Sequence, residues 1–84
     1  VHPWMSHFVQ VPGSRFHVGE IRPLPEMVGK TLPELNFRVR YNAVVLSVNR
    51  SGDRFLPTAE TVIEAGDMLL VAGRREDLEK WVEE

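Results

Sequence analysis

Arg38, Arg40 and Tyr41 stand almost side by side, and they are the residues of this 84-residue chain best equipped to hold a ligand. A guanidinium is a planar fork that grips carboxylate or phosphate bidentately, and a tyrosine ring offers a flat apolar face. Their types point to an anion with an apolar part. The same side chains also suit a solvated helix end, where cations complement the dipole. Residues two apart on a helix point in widely different directions, so only one of the two arginines can face a given cleft.

Other candidates are weaker. His2, His7 and His17 all fall in the first fifth of the chain with no metal-ligand spacing, so they read as surface or packing residues and no metal site is assigned. Asp53, Glu60, Glu64 and Asp67 follow turns or flank strands, where carboxylates are solvated or serve the turn. Ser47 has apolar neighbours and no histidine nearby, which makes it a small strand residue rather than a nucleophile. Gly13, Gly19 and Gly29 form neither a dinucleotide fingerprint nor a phosphate loop. Trp81, on the apolar face of a helix, reads as a core or interface anchor. No catalytic residue is assigned, and the chain reads as a non-enzyme.

Bulk composition narrows the partners. Ten lysines and arginines against 12 acidic residues give a net charge of −2, and no basic run exists to neutralise a phosphate backbone, so no nucleic-acid polymer is expected. The absence of cysteine removes disulfides and thiolate zinc sites and fits a reducing compartment. No apolar run approaches the roughly 20 residues of a membrane span, so no direct membrane insertion is expected. A chain of this length is one small domain with a thin core that a second subunit often completes. It opens on valine, as a piece cut from a longer protein does.

The elements that must position Arg38 and Tyr41 are legible. Ala43 to Val48 is apolar on both faces, with Val44, Leu46 and Val48 on one and Ala43 and Val45 on the other, so it fits a central strand. Arg50-Ser51-Gly52-Asp53 is hairpin chemistry, Arg54 to Leu56 returns, and Pro57 ends that strand. Ala65-Gly66-Asp67 turns into a buried strand over Met68 to Ala72. Upstream, Val1 to Gln10 reads as a linker remnant turning into a strand near Phe8 to Val11. After the turn at Pro12-Gly13-Ser14 comes a strand from Arg15, with a bulge or bend at Gly19. Pro23 and Pro25 force an extended connection. Thr31 with Glu34 three residues on is a capping box that starts a short helix, and Leu32, Leu35 and Val39 share the side that covers the sheet. A terminal helix from Arg74 to Val82 turns Leu78, Trp81 and Val82 inward, with Glu76 and Asp77 in its first turn. The result is an α+β fold, a small mostly antiparallel sheet with two short helices packed on it.

The order Val28-Gly29-Lys30-Thr31-Leu32-x-Glu34-Leu35, then Arg38-x-x-Tyr41, then the strand ending Asn49-Arg50, resembles the carboxyl-terminal domain of regulators of potassium conductance, the TrkA-C domain. The likeness continues through Asp53 to Pro57, Val62-Ile63-x-x-Gly66-Asp67-Met68-Leu69-Leu70-Val71-x-Gly73 and Asp77-Leu78. It divides the chain into a linker remnant or leading strand over residues 1–13 and the domain proper over residues 14–84.

The resemblance implies a cytoplasmic regulatory and dimerisation module of a potassium channel, potassium uptake system or cation/proton antiporter. It implies a homodimer whose partner is the membrane transporter or channel subunit of the parent protein. No cofactor is implied, but several members bind a regulatory ligand between two subunits, a cyclic dinucleotide in some. By the same resemblance Arg38 matches an arginine that contacts phosphate, Val45 an apolar residue beside the base, and Pro57 the pocket wall. Val44 stands where nucleotide-binding members carry asparagine. Arg38, Tyr41, Val44, Val45 and Pro57 are therefore the ligand-binding candidates, and a purely structural dimerisation module with no ligand of its own is the alternative.

Overall fold

The apolar run expected at the centre is β3 (Ala43–Arg50), which pairs with β5 (Met68–Arg74) on one side and with the short β4 (Asp53–Phe55) on the other. The computed structural model describes residues 8–82. The first seven residues of the expected linker, including His2 and His7, lie outside the described residues, as do Glu83, Glu84 and the side chain of Val82. Beyond β5 lie β2 (Phe16–Ile21) and β1 (Val9–Gln10), giving the order β1-β2-β5-β3-β4 with every neighbouring pair antiparallel. Between β2 and β3 run a 3-10 turn over Pro25–Met27, then α1 (Leu32–Leu35) and α2 (Phe37–Tyr41), and α3 (Arg75–Val82) ends the described chain.

The core lies between one face of the sheet and the helices. Ile21, Ala43, Val48, Leu69 and Val71 come from the strands, and Met27, Leu35, Phe37, Leu78 and Trp81 meet them from the helical layer, with Ile63 from the loop before β5. Trp81 donates its indole N–H to the carbonyl of Arg22 at 3.1 Å and packs at a tilt against Phe37 and Tyr41, so its polar end is satisfied where the ring is buried.

Several expectations need correction. The helix starting at Thr31 is capped as the box predicts, with the Thr31 hydroxyl accepting from the Glu34 N–H and the Glu34 carboxylate accepting from the Thr31 N–H. That hydrogen bonding holds the Glu34 carboxyl below its ordinary range. The helix does not run on to Val39, however. Asn36 adopts a left-handed conformation with φ 49°, which ends α1 and restarts the chain as α2. Phe37 takes the inward position and Val39 is left 74% exposed, so two short helices became three.

The expected bulge at Gly19 is absent, since the β2–β5 register is unbroken there. Gly19 is needed instead because a Cβ would fall inside the ring of Phe8. The bulge lies in β3, between Val45 and Ser47. It adds one residue and so moves Val48 onto the face of Ala43 and Val45, rather than leaving it with Val44 and Leu46. The hairpin from β3 to β4 uses positive φ at both Ser51 and Gly52, the geometry that a two-residue connection prefers.

Asp67 is not a solvated turn carboxylate. It is 1% exposed and accepts a two-pronged hydrogen bond from Arg50, Nε to Oδ1 and Nη2 to Oδ2, each at 2.9 Å. Its Oδ2 also accepts the Glu64 N–H at 2.9 Å, while Arg50 donates to the carbonyl of Val62 and lies over the ring of Phe55. The Arg50 fork holds the Asp67 carboxyl below its ordinary 3.8, against the opposing effect of burial.

Truncating Trp81 to alanine removes the ring that joins α3 to α2 and to the β2 connection, and should cost about 3 kcal/mol in urea unfolding. Val39→Ala, on the exposed side of α2, should stay within about 0.5 kcal/mol of the parent. Because the folded Asp67 carboxyl is depressed, its contribution is complete at pH values above 3.8 and is lost as pH falls from there through the folded value. Unfolding midpoints measured from pH 7 to pH 2 should therefore drop in that acid window by less in Asp67→Asn than in the parent. At neutral pH the substitution itself should cost on the order of 2 kcal/mol.

Candidate functional site: a pocket beside Arg38

The break at Asn36 decides where the two arginines go. Because α2 starts afresh after a left-handed residue, Arg38 turns towards the start of β3, while Arg40 lies on the side of α3. A pocket of about 270 Å3 is lined by Arg38, Val44 and Val45 together with Leu32, Pro33, Asn36, Phe37 and Ala43. Three of the five sequence candidates therefore meet at one place.

Local structure explains how. The capping box fixes Leu32 and Pro33 at the head of α1, and this head is tied to the loop before β5 by Gly29 N–H to Ile63 O at 2.7 Å and Ile63 N–H to Lys30 O at 2.9 Å. Asn42, left-handed with φ 53°, turns the chain from α2 into β3 and so sets Val44 and Val45 beside Arg38. On this side β4 pairs only with Val48, Asn49 and Arg50, leaving the first half of β3 without a strand neighbour. The pocket opens onto that free stretch. Arg38 is exposed and, among the described residues, makes no hydrogen bond or ion pair. An exposed guanidinium over an apolar floor suits an anion carrying an apolar or aromatic body.

Tyr41 and Pro57 are placed elsewhere. The Tyr41 hydroxyl donates to Glu26 at 2.6 Å, and its ring packs on Phe37 and Trp81. Together with Arg40 it lines a second hollow, of about 260 Å3, with Leu24, Asn42, Asp77, Lys80 and Trp81. That hollow is already internally paired, since Arg40 meets Glu26 at 3.4 Å and Asn42 donates to Asp77 at 2.9 Å. Pro57 follows β4 and does not line the Arg38 pocket within one copy of the chain.

Leu32, Pro33, Asn36, Phe37 and Ala43 were not picked out as site residues from the sequence. The signal that could have found them is the pair Asn36 and Asn42, since asparagine is the residue besides glycine that most readily ends a helix in the left-handed region. Among the described residues no cluster of histidine and carboxylate side chains could hold a metal ion, and no helix is long and apolar enough to cross a membrane.

Comparison with known proteins shows the family and the fold. The chain is 41% identical over 56 residues to an uncharacterized transporter of Rhodopirellula baltica, covering 67% of this chain and 10% of that protein. It is 35% identical over 80 residues to a putative transport protein of Pasteurella multocida, covering 88% of this chain and 14% of the other. A probable sodium/sulfate cotransporter of Chlamydomonas reinhardtii is 39% identical over 59 residues, 69% of this chain and 6% of that protein. The chain thus spans about a tenth of the length of these relatives.

Among solved structures, the RCK C domain of the potassium transport protein KtrA, in complex with cyclic diadenosine monophosphate, shares the fold. Its TM-score is 0.71 at 22% identity, over 79% of each chain. The RCK_C domain dimer of S. agalactiae BusR with c-di-AMP gives 0.71 at 23% identity, over 83% of this chain and 90% of that one. BusR in complex with its promoter DNA matches with a TM-score of 0.69 at 25% identity, this chain covering 34% of it. The model of the TrkA-C domain matches residues 20–83, and the chain belongs to the TrkA-C domain family.

Proposed function

We propose that the chain is a non-enzymatic, ligand-sensing and dimerisation module of a membrane transport protein, held on the cytoplasmic side of the membrane. The observation that carries this reading is the pairing of 35% to 41% identity to transporters with a span of only about a tenth of their length, the relation of a regulatory module to a larger machine. A potassium channel, a potassium uptake system and a cation/proton antiporter all fit a module of this family. The named relatives favour a transporter over a channel.

The ligand is an anion, received by Arg38 over the apolar floor of Val44 and Val45. Two copies of the pocket related by a two-fold axis would present a symmetric pair of guanidinium groups, which suits a ligand with two phosphates and its own two-fold axis. A cyclic dinucleotide has that symmetry, and two structural neighbours were solved with one. Val44 in place of asparagine removes a hydrogen-bonding side chain from such a site, so mononucleotides and small inorganic anions belong in the same test. Tyr41, engaged by Glu26, acts by holding α2 rather than by touching the ligand, and Pro57 reaches a pocket only from a neighbouring copy. Contact with a nucleic-acid polymer is no part of this reading, because the chain carries a net charge of −2 and corresponds to only a third of the DNA-bound BusR chain. Ligand binding that favours one arrangement of the dimer would shift the transporter between states by differential affinity.

A thermal-shift series with cyclic di-AMP, mononucleotides, sulfate and divalent cations tests this. A ligand at a hundred times its dissociation constant stabilises by about 2.7 kcal/mol, so the melting temperature of a domain this size should rise by roughly 10 °C or more. Arg38→Ala should weaken binding about 30-fold while leaving the unliganded stability within about 0.5 kcal/mol, and Arg40→Ala should change binding little. Equal losses in both variants would mean a diffuse electrostatic effect. No stabilisation by any anion would leave a purely structural dimerisation module as the account.

A further inference from the structure

Among the described residues, Arg40 meets Glu26, Arg50 meets Asp67, Arg54 meets Glu20 and Arg75 meets Glu79. Arg22, directly after β2, is different. Its carbonyl accepts the Trp81 indole N–H, but its exposed guanidinium has no hydrogen bond or ion pair among the described residues. It lies at a hollow of about 610 Å3 that shares no lining residue with the Arg38 pocket or with the hollow beside Tyr41. That volume falls within the roughly 300 to 1,000 Å3 of small-molecule sites.

Two stretches far apart in the sequence line this hollow. Pro23, Pro25 and Val28 supply an apolar wall that donates no hydrogen bond, because proline has no N–H and the Val28 N–H is spent on Pro25 O at 3.3 Å. Ala65, Gly66, Asp67 and Met68 supply the other wall. The Asp67 N–H closes that turn on Glu64 O at 3.1 Å, and the Arg50 fork anchors it.

Charge sets the ligand class. Arg22 is the one cation among the lining residues, and its free fork suits an anion. Asp67 lines the same hollow with its carboxylate already held by Arg50 and by the Glu64 N–H. One guanidinium balances a single negative charge, and a carboxylate so near disfavours a second one on the occupant.

We infer that this hollow is a second binding site, for a small organic monocarboxylate whose charge is held by Arg22 and whose apolar body lies against Pro23, Pro25, Val28 and Met68. It is independent of the ligand proposed for Arg38. An occupant would bridge two segments that both lead to α1. Val28 continues into Gly29 and Lys30, which bond to Ile63, and Asp67 belongs to the clamp that also holds Val62 and Glu64 on either side of Ile63. Thr31 then caps α1, whose Leu32 and Pro33 line the Arg38 pocket. The second site thus touches the segments that position the first.

Amide NMR titrations of the intact chain with phenylacetate, and with octanoate as a differently shaped body of the same charge, test this. Phenylacetate should bind with a dissociation constant of ~1 mM or tighter, within reach of a compact ligand of about ten non-hydrogen atoms. Saturable shifts should centre on the amides of Val28, Ala65, Gly66 and Met68 and on the indole N–H of Trp81, the partner of the Arg22 carbonyl. Arg22→Ala should weaken binding about 10-fold or more, and neutral phenylacetamide should bind the parent chain as weakly. Arg38→Ala should leave phenylacetate binding unchanged, and inorganic phosphate should not displace it.

If neither carboxylate gives saturable shifts at these amides, the inference is overturned. Phenylacetamide binding as tightly as phenylacetate, or the Arg22→Ala chain binding as tightly as the parent, overturns it too. The amide comparison needs no variant, so it decides the matter even if Arg22→Ala fails to fold. Shifts centred on Val44 and Val45 and abolished by Arg38→Ala would assign the carboxylates to the Arg38 pocket, removing the second site while the reading of the first stands.

Discussion

The fork between Arg50 and Asp67 holds the two ends of the structure's least regular stretch. Arg50 closes β3, Asp67 precedes β5, and between them the chain runs through β4 and a loop with no strand of its own. A bidentate charged pair with one partner fully buried fixes direction as well as distance, and the extra bonds to Val62 O and from Glu64 N–H leave the loop little freedom. Ile63 is thereby set in the core. Its backbone bonds to Gly29 and Lys30 then place Thr31, the cap of α1, and with it one wall of the Arg38 pocket. The chain of dependence runs from a buried ion pair through a loop to a helix start and finally to a site.

Two local irregularities shape what that clamp holds. The bulge at β3 changes which residues face inward halfway along the strand, so Val48 joins the core while Val44 remains outside. The left-handed Asn36 splits one amphipathic helix into two short ones, exchanging Val39 for Phe37 as the buried residue and setting which side Arg38 and Arg40 each face. Each departure from a regular repeat serves the same corner of the domain. The pocket lies where the split helix, the free edge of β3 and the unbulged start of that strand come together.

A two-layer domain of this size leaves its sheet half covered, and that incompleteness connects fold with role. Apolar side chains such as Val9, Phe16 and Val44 remain exposed on that sheet. On the proposed reading, a ligand held at the Arg38 pocket would bias the association of two copies, since a few kilocalories per mole are enough to move such an equilibrium. The chain spans about a tenth of the transporters it resembles, and on the proposed reading a TrkA-C domain of that share would pass such a bias on to a larger protein.

Local patterns in the amino-acid sequence already determined the elements and their order. The capping box at Thr31 and Glu34, the Ser51-Gly52 hairpin, the apolar runs of β3 and β5 and the Leu78 to Trp81 spacing all act within a few residues, where propensity and hydrogen bonding decide. Arg38, Val44 and Val45 were site candidates by resemblance, and the structure brings these candidates to one pocket. Tertiary structure alone decided the rest. The burial of Asp67 depends on Arg50, 17 positions away, and no local rule distinguishes a turn carboxylate that finds such a partner from one that stays in water. Tyr41 fits a ligand face in the sequence, yet it is claimed by Glu26 and Trp81, residues that only the packing of α2 brings near. The face that Val44 presents, and the loss of Val48 from it, rest on one extra residue in a strand, which alternation cannot reveal because a bulge is fixed by the partner strand's register.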